Sequence, residues 1–291
     1  MVKAQCGGNP GLYWTKMNDI FDNSQWPLNS YLVSQTHKVL YLPIAKNATT
    51  TLKRMFVRLS GHPDAEEILS QNIHRYLVSH KTGISLCDYT PDEAASFLND
   101  PDCFSFTVLR SPLERVVSSY IEKIVSTPSS HEGVLDVVMP VIDWVYAQRG
   151  QQPDYQRSIS FEEFVNYLLN HEDRDLDTHF KSQESFFAKQ KINFFGTIEK
   201  MSELTKVLEP RFGQKIKLEW TNRTKRRKSL IRRRGQADLL PAQLRAQRTM
   251  PHASELLYGK IADRLSQRFA QDIRFWQDAL ESGSPQASDR G

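Results

Sequence analysis

The stretch "KVLYLPIAKNATTTLKRMF", residues 38–56, decides the fold prediction. An apolar run from Val39 to Ile44 stops at Lys46, threonines follow at positions 49–51, and apolar residues then recur at helical spacing. A strand, a polar turn and a helix together are a common way to hold a phosphate group. The glycine-rich loop G-x-x-x-x-G-K-[ST] is absent, because this stretch contains no glycine. The pattern indicates either a phosphate site of another kind or an ordinary Thr-capped helix after an exposed lysine.

The alternation of strand and helix continues along the chain. Apolar or alternating runs predict strands at 38–45, 103–110, 192–199 and, at a sheet edge, 215–220. Start signals, among them Thr90 and Ser160 as N-caps, and helical spacing predict helices at 49–60, 66–79, 91–99, 111–125, 134–148, 158–170, 201–212 and 251–279. This order implies the α/β class, with a mostly parallel sheet and helices on both faces. We expect a single domain over 1–280, with an irregular lead-in at 1–37, a basic loop at 222–235 and a disordered tail at 281–291.

Composition and cysteine count restrict the class of protein. The 291 residues are 39% hydrophobic and 25% charged, with a net charge of +4, which suits a globular protein and gives no reason to expect a nucleic-acid partner. Cys6, Cys87 and Cys103 form no C-x-x-C pair, so neither a disulfide framework nor a zinc site is predicted. No apolar stretch approaches the roughly 20 residues that span a bilayer, and the N-terminus lacks a signal-peptide core. We therefore expect a soluble, cytoplasmic protein.

A second strand-to-helix junction lies in "TVLRSPLERVVSSY", residues 107–120. Arg110 ends a predicted buried strand, and Ser118 lies about two helical turns further on. The pattern predicts Ser111 as the N-cap, Pro112 at the first helical position and Glu114 in a capping box. Arginine grips phosphate through two parallel hydrogen bonds, and a serine hydroxyl adds a donor. Alternatively, Arg110 pairs with an acidic neighbour and Ser118 only packs. Two such junctions in one α/β chain favour a site for two phosphate groups.

These stretches resemble the motifs of the sulfotransferases that use 3′-phosphoadenosine 5′-phosphosulfate (PAPS). "AKNATTTLKRMF" resembles the 5′-phosphosulfate loop P-K-V-A-S-T-N-W-K-R of the Golgi carbohydrate sulfotransferases, and "FTVLRSPLERVVSSY" is similar to their 3′-phosphate motif. "SISFEEFVNYLL", "DTHFKSQ" and "NFFGTIEKMSEL" are similar to later family segments, so the resemblance spans roughly residues 38–280. Ala45 and Thr49 depart from the loop pattern. The Golgi enzymes also carry a membrane anchor and disulfides, which are not predicted here, so soluble bacterial relatives fit better.

The resemblance implies a fold and roles for named residues. The fold would be a P-loop-NTPase-like three-layer α/β/α arrangement with helical insertions. Lys46 would stabilise charge on the leaving phosphate, and Arg110 and Ser118 would bind the 3′-phosphate. The remaining donor-binding candidates are Asn47, Ala48, Thr49, Thr50 and Thr51 in the loop, and Arg223 in the basic segment.

Sulfuryl transfer needs an in-line acceptor, neutralisation of the leaving phosphate and a base for the acceptor's proton. Lys46 and a helix N-terminus meet the second need without a metal, and no metal-ligand spacing is present in the sequence. The base is a histidine or a carboxylate with a raised pKa. His74, His80 and His179 are the candidate bases, and His74 matches the family pattern best. The expected acceptor is a hydroxyl of a carbohydrate or small molecule.

Other interpretations stay open at this point. The arginine- and lysine-rich loop at 222–235 is either a solvated loop or a cover over the anionic donor or acceptor, and no interleaved aromatic residues favour nucleic acid. A phosphoryl-transfer enzyme such as a kinase needs a carboxylate for Mg²⁺ after a strand, and none of the four predicted strands ends in a Walker-type aspartate. A non-enzymatic nucleotide-binding protein is the third alternative. The oligomeric state is not predicted.

Overall fold

A four-stranded sheet lies at the centre of the computed structural model, which describes residues 21–126, 135–187, 190–220, 235–247 and 249–282. The strands are β1 (Leu32–Ser34), β2 (Val39–Leu42), β3 (Phe104–Leu109) and β4 (Phe194–Thr197), and they lie side by side in that order. β1 is antiparallel to β2, whereas β2, β3 and β4 are parallel. Every residue of these strands is buried, which explains why β2–β4 are nearly continuous apolar runs in the sequence.

Twelve α-helices surround the sheet within the described ranges. They are α1 (Thr49–Leu59), α2 (Ala65–Ser70), α3 (Ile73–Ser79), α4 (Pro91–Asn99), α5 (Pro112–Tyr120), α6 (Leu135–Gln148), α7 (Phe161–Leu169), α8 (Met201–Phe212), α9 (Pro241–Arg245), α10 (Ala253–Leu256), α11 (Lys260–Arg268) and α12 (Ala270–Ser282). A π-helical turn, Ile121–Ser126, continues α5.

Helices cover both faces of the sheet. On one face, Tyr41 and Phe106 pack in the same apolar cluster as residues of α1 and α8. On the other face, Leu42 and Phe195 belong to a cluster that includes residues of α12. A third cluster joins α5, α6, α7 and α11 beside the sheet. The predicted α/β class with a central, mostly parallel sheet is therefore confirmed.

The sheet edge differs from the prediction. Residues 215–220 form no strand, so the edge strand predicted there is wrong. Their alternation has another cause, because Ile216 and Leu218 pack against the apolar cluster below the sheet. The edge next to β2 is β1, within the segment 1–37 that was predicted to be irregular. Three residues are too short a run for an alternating pattern to be recognised.

Several helices also differ in detail. The helix predicted at 66–79 is two helices, α2 and α3, and the helical region predicted at 251–279 is three, α10–α12. The predicted N-caps at Thr90 and Ser160 are confirmed, since each accepts a hydrogen bond from the backbone N–H three residues on. Nearly all of the basic loop, with Arg223, lies outside the described residues, as does 283–291 of the tail. Among the helices that are described, none combines the length and apolarity needed to cross a bilayer.

Candidate active site

The two strand-to-helix junctions lie next to each other. They follow β2 and β3, which are parallel neighbours, so both junctions lie at the same edge of the sheet. The Arg110 guanidinium of the second junction donates to the Lys46 carbonyl of the first, with Nη1 and O 3.3 Å apart. The fold therefore brings both predicted phosphate-binding segments to one place.

The first junction presents backbone N–H groups. Lys46 and Ala48 both have positive φ, at 74° and 56°, which is uncommon for residues other than glycine. The N-cap of α1 is Ala48, which has no side chain that can cap, so the alternative of an ordinary Thr-capped helix is wrong. Among the described residues, no acceptor is bound to the N–H groups of Ala48, Thr49 or Thr50. These amides and the helix dipole suit an anion.

The threonine hydroxyls of this loop contact protein groups. Thr49 Oγ1 donates to the Ile44 carbonyl at 2.6 Å and closes the turn. Thr50 Oγ1 lies 2.8 Å from His74 Nε2. Thr51 is buried in the first turn of α1. The backbone N–H groups of this loop, more than its hydroxyls, are therefore available to bind an anion.

Lys46 is a shielded cation beside these amides. Its side chain is only 12% exposed, and its ammonium forms an ion pair with the half-exposed Glu122 on the π-helical turn. Burial lowers the pKa of Lys46, and the positive charges of Lys123 and Arg110 act in the same direction. Glu122 opposes this shift and helps to keep the ammonium protonated.

Asn47 has a bracing position. The residue is 1% exposed, and its Nδ2 donates to the Val108 carbonyl at 2.8 Å and to Gln183 Oε1 at 2.6 Å. Gln183 Oε1 also accepts from the Arg110 backbone N–H at 3.0 Å, while Gln183 Nε2 donates to the Arg110 carbonyl at 2.9 Å. The buried side chain of Gln183 thus contacts both junctions and fixes their relative position.

The second junction presents side chains. Arg110 pairs with Glu114 at 3.5 Å, so its alternative acidic partner is present in the structure. The predicted capping box at Ser111 is wrong, because the Ser111 side chain makes no cap hydrogen bond and the Glu114 carboxylate lies instead at Arg110. Ser118 is half-buried on α5, with no hydrogen bond from its hydroxyl to another described residue.

Arg115 supports the first junction from the second. It is 2% exposed, and its guanidinium donates to the carbonyls of Ala45 at 2.9 Å and Lys181 at 2.6 Å. Burial lowers the pKa of Arg115 to about 10, which still leaves it charged at neutral pH. This residue is therefore a structural brace of the site.

Two of the three candidate histidines lie at the site. His179 and Glu122 each interact electrostatically with His74, which bonds to Thr50 of the loop. His179 Nδ1 lies 2.6 Å from Asp177 Oδ1, and although burial acts in the opposite direction, hydrogen bonds from His179 lower the pKa of Asp177. Part of the His74 surface is exposed, yet partial burial of the ring and then the charge of Lys53 lower its pKa to about 4.

His80 lies apart from this group. Its ring stacks on Tyr76 with 4.0 Å between centroids, and its Nδ1 lies 2.8 Å from Ser79 Oγ. These contacts stay within α3 and the residue after it. The structure therefore does not bring His80 to the loop, while Arg223 lies outside the described residues.

Sequence analysis missed four residues that shape the site. Glu122 and Lys123 follow the 3′-phosphate motif, and both interact electrostatically with Lys46. Gln183 ends "DTHFKSQ", a segment that was noted only as a family motif. Asp272 on α12 accepts from the backbone N–H of Gln183 at 2.6 Å, and nothing in its local sequence signals this contact. Within the described ranges, no group of three or more His, Cys, Asp or Glu residues is placed to bind a metal.

Comparison with known proteins finds similar carbohydrate sulfotransferases. Carbohydrate sulfotransferase 10 from Pongo abelii is 29% identical over 159 residues, which are 54% of this chain and 42% of that protein. The human carbohydrate sulfotransferase 10 is 28% identical over the same shares, and human carbohydrate sulfotransferase 14 is 25% identical over 61% of the chain and 44% of its own length. The chain thus spans less than half the length of these relatives. No solved structure matches it. Residues 29–276 match the sulfotransferase family, to which the chain therefore belongs.

Proposed function

We propose that the protein transfers a sulfuryl group from PAPS to a hydroxyl group of a carbohydrate acceptor. One observation carries the proposal: a helix start with free amides and a largely shielded lysine lies in direct contact with the Arg110 junction. The names of the similar carbohydrate sulfotransferases support a carbohydrate acceptor. β2, the loop and α1 follow one another in the order of a P-loop. We therefore also propose that the fold is P-loop-NTPase-like.

The residues present fit a donor with two anionic ends. The N–H groups of Ala48–Thr50 and the Lys46 ammonium would hold the 5′-phosphosulfate. Arg110, with Ser118 on the adjoining helix, would hold the 3′-phosphate. The Arg110–Lys46 contact keeps these two sets of donors on one ligand-sized surface. Positive charge from the protein balances the anions, so this part of the proposal needs no metal ion.

Each step of the transfer then has a group of this chain to serve it. The donor supplies the sulfuryl group, and the bond from sulfur to the bridging oxygen breaks as the acceptor oxygen bonds to sulfur. Lys46 and the loop amides stabilise the negative charge that develops on the leaving phosphate. Gln183 and Arg115 hold the two segments in register, which is the positioning that such transfers depend on. The acceptor proton passes to a base.

We assign that base to His179. Asp177 accepts from His179 Nδ1, which fixes the ring and leaves Nε2 to take a proton. His74, the candidate preferred from sequence, bonds through Nε2 to Thr50 and has a pKa lowered to about 4, so it is a poor base at neutral pH. His179→Gln should then reduce turnover much more than His74→Gln, and the reverse order would assign the base to His74.

A transfer assay tests the proposed function. Donor labelled with sulfur-35 is incubated with the protein and a panel of sugars, phenols, steroids and lipid alcohols, with and without EDTA. We expect labelled product with a carbohydrate, undiminished by EDTA and lost in Lys46→Ala. A parallel assay with γ-labelled ATP and Mg²⁺ covers the kinase alternative. Labelling from ATP but not from PAPS would overturn the proposal.

A further inference from the structure

One helical run supplies a carboxylate to each of the two phosphate-binding cations. Glu114, Ser118 and Glu122 are spaced four residues apart along α5 and the π-helical turn, so they follow one side of this run. Glu114 pairs with Arg110, and Glu122 pairs with Lys46. The hydroxyl between them belongs to Ser118, the candidate 3′-phosphate ligand. This helical run therefore places one carboxylate next to each cation of the proposed donor site.

The two ion pairs are similarly exposed and differ in contact. The side chains of Lys46 and Arg110 are 12% and 16% exposed, and those of Glu122 and Glu114 are 52% and 44% exposed. Glu122 is in direct contact with the Lys46 ammonium, whereas Glu114 Oε2 lies 3.5 Å from Arg110 Nη2. Glu122 itself is 52% exposed, so its carboxylate has room to turn toward water. The competition between a carboxylate and a donor phosphate is therefore sharpest at Lys46.

The charges around this pair act on both partners. Lys123 and Arg110 disfavour the charged form of Lys46, as burial does, and Glu122 favours it. Although burial acts in the opposite direction, Lys46, Lys123 and His179 lower the pKa of Glu122. His74, from α3, interacts with Glu122 as well. Glu122 is thus ionised at neutral pH and opposes the loss of the lysine's proton.

We propose that Glu122 is a positioning residue that keeps Lys46 charged and competes with the donor's 5′ anion for it, so that it speeds release of the bisphosphate product. The proposal rests on the proposed function. The donor anion must take the ammonium from Glu122 on binding, and Glu122 regains it as adenosine 3′,5′-bisphosphate leaves. Product release limits the turnover of many enzymes, so a carboxylate that competes for the ammonium would raise kcat where release is slow.

The test compares Glu122→Gln with a control, Glu203→Gln. Glu203 lies on α8 and forms a partly exposed ion pair with Lys200, the residue just before that helix. Calorimetry and stopped-flow displacement give the Kd and the release rate of adenosine 3′,5′-bisphosphate at pH 7. We expect Glu122→Gln to bind about tenfold more tightly, mainly through slower release, which is the effect of about 1.4 kcal/mol. Glu203→Gln should match the unmodified protein.

A pH profile provides a second readout, which a merely structural role would not change. The profile of kcat/KM reports the free enzyme, in which Glu122 supports the charge on Lys46. Its alkaline limb should move to lower pH in Glu122→Gln. Glu122→Ala serves as the second variant if the glutamine variant does not fold. Unchanged or weaker bisphosphate binding in the folded variants overturns the role of Glu122 alone, whereas no binding by the unmodified protein overturns the proposed function as well.

Discussion

The two strand-to-helix junctions have the same succession of elements but present different groups to the proposed donor. After β2 the chain adopts positive φ at Lys46 and Ala48, and α1 begins without a side-chain cap. After β3 the helix begins at Pro112, which has no N–H to offer, and the charged group is the Arg110 side chain. The first junction therefore presents mainly its backbone and the second mainly its side chains.

This difference explains why the two junctions differ in how well their sequences can be interpreted. A site made of side chains requires particular residue types, so the motif "LRSPLERVVSS" is specific. A backbone site depends on dihedral angles that many sequences can adopt, so "AKNATTT" was ambiguous by itself. The difference also predicts that substitutions at the second junction divide into those that unfold the protein and those that only weaken binding.

The largest expected effect separates the two arginines of the second junction. Arg115→Met leaves the partly buried carbonyls of Ala45 and Lys181 without their donor, at about 1–3 kcal/mol for each. We expect the free energy of unfolding to fall by about 2–6 kcal/mol, measured by urea denaturation. Arg110→Met should lower it by about 1 kcal/mol, since its pair with Glu114 is partly exposed and its hydrogen bond to the Lys46 carbonyl is long and only partly buried. Equal losses would mean that both arginines serve the fold.

Lys46→Ala should separate turnover from binding. Removing one charge that stabilises the leaving group typically lowers kcat by about 100- to 1,000-fold. The loop amides remain in this variant, so the Kd of adenosine 3′,5′-bisphosphate should change by less than about tenfold. Steady-state kinetics and calorimetry measure the two effects. Losses of equal size in kcat and in affinity would show that the lysine binds substrate and transition state alike.

The support below the junctions should make stability depend on pH. Burial raises the pKa of Asp272 to about 6, above its value of 3.8 in an unfolded chain. The native state therefore keeps this proton to a higher pH than the unfolded state does. The free energy of unfolding should consequently fall as pH rises from about 4 to 6, by up to about 3 kcal/mol. Below pH 4 both states are protonated and the term vanishes. Asp272→Asn should flatten the slope in urea titrations, and an unchanged slope would assign it to another group.

The smallest effect compares helix starts. Ser160 accepts a hydrogen bond from the N–H of Glu163, so Ser160→Ala should destabilise the protein by about 1 kcal/mol. Ser111 makes no such bond, and Ser111→Ala should change stability by less than about 0.5 kcal/mol. Thermal unfolding measures both. A loss at Ser111 as large as that at Ser160 would restore the predicted capping box.

Local patterns predicted the parts of the molecule that depend on local chemistry. The strands β2–β4 were found because they are buried on both faces, and Thr90 and Ser160 were found because capping is a short-range interaction. β1 was missed because three residues carry too little pattern. The strand at 215–220 was wrong because alternation also arises where residues pack on a cluster without pairing.

The candidate site divides in the same way. Lys46, Arg110 and Ser118 lie in contiguous motifs that resemble a family. Gln183 and Asp272 act over 73 residues or more in sequence, through hydrogen bonds that only the folded chain creates. The Lys46–Glu122 pair spans 76 residues and was likewise beyond local patterns. Side chains that orient the site but lie far from it in sequence are therefore the ones that local sequence patterns do not predict.

The claim that two junctions form one site for two phosphates is tested most directly by a ligand comparison. Calorimetry without divalent metal measures the binding of adenosine 3′,5′-bisphosphate and of adenosine 5′-monophosphate to the unmodified protein and to Arg110→Ala. We predict that the unmodified protein prefers the bisphosphate by about 10- to 100-fold, as expected for charge-assisted hydrogen bonds worth about 1.5–3 kcal/mol, and that Arg110→Ala loses this preference. An unmodified protein that does not distinguish the two ligands, or a variant that keeps the preference, would contradict the account.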